Sequence, residues 1–187
     1  MKKIAVFASG SGTNFQAIID ATKEGKLDCE ISLLVCDQPG AKCIERAEQS
    51  SIPALVLSPK EFTSKAEYEA RILQELEEKQ VEFIALAGYM RLIGKTLLSS
   101  FEGKIVNIHP SLLPSFPGKD AIGQAFDAKV KVTGVTIHYV DEGMDTGPII
   151  AQEAVKIDEM DTRYDLQKKI QKVEHQLYVN TLSNLFQ

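Results

Sequence analysis

The sequence predicts an α/β fold, a single domain on a mostly parallel, twisted sheet of about seven strands with helices on both faces. Three observations carry this. Short continuous apolar runs, KIAVFA at 3–8 and FIALAG at 83–88, read as strands covered on both sides. Amphipathic segments with helical spacing alternate with strands through the first half, which implies parallel neighbours joined by right-handed crossovers. The chain has 187 residues, 44% hydrophobic and 25% charged, enough for one domain with a substantial core.

Strand one, at 3–8, runs into the turn SGSGTN. A helix follows from Phe15 to about residue 25, with Phe15, Ile18 and Ile19 on one face and Gly25 as its stop. EISLLVCD is strand two, QPG a break, and 41–50 a second helix. PALVL is a short third strand. Residues 64–80 form a strongly amphipathic helix, with Ile72, Leu73 and Leu76 on its apolar face. After FIALAG, the segment Tyr89-Met90-Arg91-Leu92-Ile93 leads into a short helix, and KIVNI is strand five. A short helix is expected over 120–129. TGVTIHYV alternates as strand six, with Thr136 and His138 on one face. IIAQEAVKI is strand seven. Too few residues separate these last two for a crossover helix, so they are expected to be antiparallel or irregular neighbours. Thr162-Arg163-Tyr164-Asp165 reads as a capping box. It opens a long terminal helix with Leu166, Ile170, Val173 and Leu177 on one face.

The bulk numbers narrow the function classes. Lys+Arg 21 against Asp+Glu 26 gives a net charge of −5, which argues against a broad nucleic-acid or membrane surface. Cys29, Cys36 and Cys43 have no metal-ligand spacing, and their odd number argues against a disulfide framework. No metal site is expected from the three dispersed histidines either. The N-terminus reads as a strand rather than a signal peptide, and no apolar run is long enough to span a bilayer. The expected protein is soluble and cytoplasmic, with small-molecule partners.

Three stretches carry chemistry. In KIVNIHPSLLPSFPG, residues 104–118, Asn107 and His109 are two residues apart on a strand and so face one side. An amide beside an imidazole, where Pro110 ends the strand, is the arrangement open α/β sheets use for reactive groups. The glycine turn Gly10-Ser11-Gly12-Thr13-Asn14 lies between strand one and helix one, where free N–H groups suit a phosphate. Phe15 takes the place of the third glycine of a dinucleotide fingerprint, and no Gly-Lys-Ser/Thr follows, so a single phosphate is the expected ligand. The loop DEGMDTGP, 141–148, offers Asp141, Glu142 and Asp145, any one of which can reach His109 and favour its charged form. It lacks EF-hand spacing. Ser111 lacks a nucleophile-elbow context, and His138 reads as a satisfied strand histidine.

Taken together and in order, SGSGTN, VNIHPSLLPSFPG and TGVTIHYVDEGMDTGPII resemble the folate-dependent formyltransferase family over nearly the whole chain. The resemblance implies a Rossmann-like fold, with a phosphate site in the N-terminal part and the folate site and catalytic residues in the C-terminal part. It implies formyl transfer from 10-formyltetrahydrofolate to the amine of glycinamide ribonucleotide, a step of purine biosynthesis, by a monomer or homodimer. Asn107, His109 and Asp145 then become the catalytic trio. Gly12, Thr13, Asn14 and Glu174 would hold the nucleotide. Lys65, Met90, Arg91, Leu92, Ile93, Asn107, Asp141 and Asp145 would line the folate site. Leu113-Pro114 becomes a candidate cis peptide. Where relatives often carry a histidine, this chain has Lys119-Asp120-Ala121. Relatives acting on methionyl-tRNA usually carry an added C-terminal domain, and formyltetrahydrofolate hydrolases an added N-terminal one. A non-catalytic nucleotide-binding module would leave the Asn107/His109 pair unexplained.

Overall fold

The computed structural model describes residues 1–187. The strands are β1 (Lys2–Ala8), β2 (Cys29–Cys36), β3 (Ala54–Val56), β4 (Phe83–Leu86), β5 (Ile105–His109), β6 (Val132–Tyr139) and β7 (Ile149–Lys156). The helices are α1 (Thr13–Lys23), α2 (Lys42–Gln49), α3 (Lys65–Glu78), α4 (Lys95–Ser100), α5 (Ala121–Asp127) and α6 (Arg163–Phe186). All seven strands join one sheet in the order β3-β2-β1-β4-β5-β6-β7.

Alternation along β1 builds two core layers. Ile4, Val6 and Ala8 point into a cluster with Phe15 and Ile18 of α1 and Leu166, Ile170 and Tyr178 of α6. Ala5 and Phe7 point the other way, onto Tyr68, Ile72 and Leu76 of α3 and Leu97 of α4. Residues 4–8 of β1 have no exposed surface, so their burial on both sides explains the unbroken apolar run.

The strand pairs from β3 through β5 are parallel, as the alternating first half predicts. The antiparallel part is larger than expected, because β6 runs antiparallel to β5 as well as to β7. The segment between β5 and β6, with α5, does not cross the sheet, and β6 starts from the end where β5 finished.

Other departures are local. α1 starts at Thr13 rather than Phe15, because Gly12 adopts a left-handed conformation (φ 71°) and turns the chain early. The terminal helix carries the expected capping box, Thr162 with Asp165. Its buried row runs Leu166, Ile170, Glu174 and Tyr178, with Val173 and Leu177 half-buried against the same core. Tyr178 reaches through the core and its hydroxyl donates to the Leu86 carbonyl at 2.7 Å. Leu113-Pro114 is cis. No helix is long and apolar enough to cross a membrane.

Strand order reverses between β1 and β4, and the C-terminal ends of β1, β4 and β5 lie side by side there. The Ser9 amide donates to the Gly88 carbonyl across this point, at 3.0 Å. The Ser9 hydroxyl bridges further. It donates to the buried Asp37 carboxylate (2.5 Å) and accepts from the Met90 amide (2.9 Å), tying the glycine turn to the segment after β4.

Candidate active site

A cavity of about 620 Å³ opens at this sheet edge, lined from β4, β5, β6, α6 and the loops between them. Asn107 and His109 project into it from the same face of β5. The antiparallel register sets Asn107 opposite His138 and His109 opposite Thr136. The Asn107 amide nitrogen lies 3.3 Å from His138 Nε2, and His138 Nδ1 lies 2.8 Å from the Tyr139 carbonyl. A carbonyl only accepts, so His138 carries its proton on Nδ1, and its Nε2 accepts from Asn107. That contact uses one N–H of the amide and fixes its orientation, leaving the second N–H unpaired. His138, which the strand pattern alone suggests is merely structural, is therefore part of the site.

His109 is held from both ends. Its Nε2 donates to the Phe116 carbonyl at 2.9 Å, while Nδ1 faces Asp145 Oδ2 at 3.5 Å. Both ring nitrogens thus meet oxygens that only accept, an arrangement a doubly protonated ring satisfies. Of the three loop carboxylates, Asp145 is the one that reaches His109. Its Oδ2 also accepts the Gly118 amide at 2.8 Å. Asp141 folds onto its own loop instead, accepting from Thr146 Oγ1 (2.6 Å) and the Gly143 amide (3.0 Å). The Thr146 hydroxyl holds its carboxyl below the usual carboxylate range. Ser111 is fully buried and its hydroxyl donates to the Ser115 carbonyl at 2.5 Å, so it shapes the turn.

Around the cavity mouth, Met90, Leu92 and Met144 are 71%, 46% and 51% exposed, an apolar rim beside polar groups. Arg91, Ile93 and Asp141 also line the cavity. Lys65 does not; it starts α3 with its aliphatic chain against Gly94. Arg91 sits 5.7 Å from the centre of the Tyr68 ring, on the same side of the molecule.

Asn14 and Glu174 line the cavity from α1 and α6. Gly12 and Thr13 belong to the same turn but lie outside the lining, and a Cβ on Gly12 would come within 2.7 Å of Cys43 Cβ. None of the amides from Gly10 to Phe15 finds an acceptor within the chain, and buried Asn14 Oδ1 has no donor. Burial pushes the Glu174 carboxyl up to about 7, with the Asn14 amide pulling the other way.

Asp120 adopts φ 53° and caps α5 by accepting the Gly123 amide at 3.3 Å. Its other oxygen pairs with Arg163, the first residue of α6, at the cavity edge. The ion pair thus joins the beginnings of two helices. No group of three or more His, Cys, Asp or Glu side chains is arranged to hold a metal.

Known proteins show the same combination of fold and motifs. The chain is 58% identical over 185 residues to the phosphoribosylglycinamide formyltransferase of Bacillus subtilis, covering 99% of this chain and 95% of that one. The crystal structure of glycinamide ribonucleotide transformylase 1 from Geobacillus kaustophilus superposes with a TM-score of 0.97 at 64% identity, covering 99% and 98% of the two chains. That of phosphoribosylglycinamide formyltransferase from Bacillus halodurans gives 0.96 at 62%, covering 98% and 95%. Residues 2–182 match the family described as Formyl transferase, and with relatives this similar over their whole length the chain belongs to that family.

Proposed function

We propose that the chain transfers the formyl group of 10-formyltetrahydrofolate to the amine of glycinamide ribonucleotide, a step of purine biosynthesis. The observation that carries this reading is the sharing of one cavity by two unlike halves. One holds Asn107, His109 and Asp145 beside an apolar rim. The other holds Asn14 and Glu174 at a turn of unpartnered amides. A flat heteroaromatic donor suits the first half and a phosphorylated ribose the second, and the volume lies within the range of small-molecule sites.

The donor supplies an activated formyl carbon. The acceptor's own amine is the nucleophile, so the protein needs none. Its nitrogen forms a bond to the formyl carbon, the carbonyl electrons move onto oxygen, and collapse breaks the bond to the folate nitrogen. One proton passes from the amine to that departing nitrogen. His109, through the charge it holds beside Asp145, and the free N–H of the Asn107 amide act on the developing oxyanion, where preorganised electrostatics count most. His138 holds Asn107 in place.

The test is a transfer assay with 10-formyltetrahydrofolate, offering glycinamide ribonucleotide, methionyl-tRNA or water as acceptor. Turnover that depends on glycinamide ribonucleotide is expected. Formyl release to water alone, or transfer to the tRNA, would replace the proposal with a hydrolase or a tRNA formyltransferase.

A further inference from the structure

Arg46 is the one residue of α2 whose side chain donates to the backbone of the glycine turn. Its Nε–H donates to the Ser11 carbonyl at 2.7 Å, and a terminal nitrogen donates to Gln16 Oε1 at 3.2 Å. One residue earlier in the turn, the Gly10 carbonyl accepts the Cys43 amide at 3.1 Å. Both consecutive carbonyls are therefore turned onto α2. In a trans peptide, C=O and the following N–H point in opposite directions. Pinning the Gly10 and Ser11 carbonyls against α2 thus directs the Ser11 and Gly12 amides to the opposite, open side of the turn. There they join the unpartnered amides at the start of α1. Successive amides converging in this way form a concave anion site. The packing leaves little latitude, since a Cβ on Gly12 would lie 2.7 Å from Cys43 Cβ and 3.3 Å from Arg46 Cδ.

We infer that Arg46 is a positioning residue for the acceptor's phosphate: by holding the Ser11 carbonyl it presents the amides of the glycine turn to a phosphomonoester. This rests on the reading of that turn as the acceptor's phosphate site. Arg46 acts through the backbone, not by touching the reacting atoms.

Two variants separate this role from bulk and from charge. Arg46→Met keeps the aliphatic stem and removes the donor. Arg46→Gln puts a neutral N–H donor at the chain position of Nε. Each is measured against wild type by steady-state kinetics with both substrates and by thermal shift in inorganic phosphate against chloride at matched ionic strength. Arg46→Met is expected to raise KM for glycinamide ribonucleotide about ten-fold or more, given the usual strength of charge-assisted hydrogen bonds. It should leave KM for the folate donor unchanged and abolish the stabilisation by phosphate. Arg46→Gln is expected to recover most of the loss.

An Arg46→Gln enzyme as poor as Arg46→Met would assign the effect to charge and overturn the positioning role. An Arg46→Met enzyme with unchanged acceptor KM, or with both KM values and melting temperature disturbed together, would overturn it too. The reading of the site fails separately. A wild type that gains stability from phosphate, and loses that gain in Arg46→Met, yet does not formylate glycinamide ribonucleotide, refutes the proposed acceptor and keeps the role of Arg46. A wild type that phosphate does not stabilise refutes the inference itself.

Discussion

Asp145 Oδ2 stands 3.5 Å from His109 Nδ1 and accepts the Gly118 amide with the same oxygen. The loop after β6 and the turn after β5 are thus locked together at the one histidine that reaches into the cavity from β5. Replacing Asp145 by Asn keeps an oxygen for Gly118 but removes the charge that favours protonated His109. The expected result is a fall in kcat of about 10²-fold, comparable to the loss of one electrostatic donor. The melting temperature should stay within a few degrees of wild type. A variant with wild-type kcat would remove Asp145 from the mechanism.

Asn107→Ala and His109→Ala each delete one group from the proposed oxyanion site. Each should lower kcat by about 10²–10³-fold. Circular dichroism should show a native fold, because neither side chain belongs to either apolar core cluster. His138→Ala removes the acceptor that fixes the Asn107 amide, together with its own contact to the Tyr139 carbonyl, but no group that faces the oxyanion. It should therefore cost less than Asn107→Ala, and the double variant should cost no more than Asn107→Ala alone. Additive losses in the double variant would show that His138 acts independently of Asn107.

These residues also show what can be read from the chain alone. Asn107 and His109 are legible because a strand's period of two places them on one face wherever the strand lies. The buried strands are legible because residues 4–8 of β1 and all of β4 are apolar and covered on both faces. His138 is not legible as a partner, because its contact depends on the antiparallel register of β5 and β6 across 31 residues. Nothing local encodes that direction. Asp141, Glu142 and Asp145 look alike in sequence, and only the loop fold, with Asp141 stapled to Thr146, separates them. Arg46 is hidden for the same reason, since it reaches the glycine turn from a different helix. In α6 the apolar spacing marks Val173 and Leu177, which pack against the core but stay half-buried. The packing buries Glu174 and Tyr178 more deeply, because the cavity and the Leu86 carbonyl supply polar surroundings for them.

Asp120 contributes to stability through its cap more than through its ion pair. The pair with Arg163 is solvent-exposed and contributes little. Asp120→Ala removes the cap of α5 and leaves a Cβ at φ 53°, a conformation Asn and Asp tolerate better than Ala. A loss of about 1–2 kcal/mol is expected, from typical cap replacements. That corresponds to roughly 2–8 °C in Tm for a chain of this size. Asp120→Asn keeps a capping oxygen and should melt close to wild type. Calorimetry on the two variants decides it. Equal losses in both would move the contribution from the cap to the ion pair.

Glu174 gives the fold a pH dependence of definite sign. Burial raises its carboxyl to about 7 in the folded chain, from 4.5 when exposed. Between those values the unfolded chain releases a proton that the folded chain retains, so stability falls as pH rises through the window. Below about pH 4.5 Glu174 costs nothing, and above about pH 7 its contribution is constant. The shift corresponds to a penalty of at most about 3 kcal/mol, using 1.36 kcal/mol per pKa unit. Glu174→Gln stays neutral at every pH while keeping the shape and a partner for Asn14. The variant should therefore match wild type at pH 4.5 and be the more stable of the two at pH 8, by about 1–3 kcal/mol in denaturant unfolding. A difference that does not change between these pH values would mean that Glu174 titrates alike in the folded and unfolded chains. If the proposed acceptor binds against the charged carboxylate, adding glycinamide ribonucleotide at pH 8 should stabilise wild type more than Glu174→Gln, and so narrow that gap.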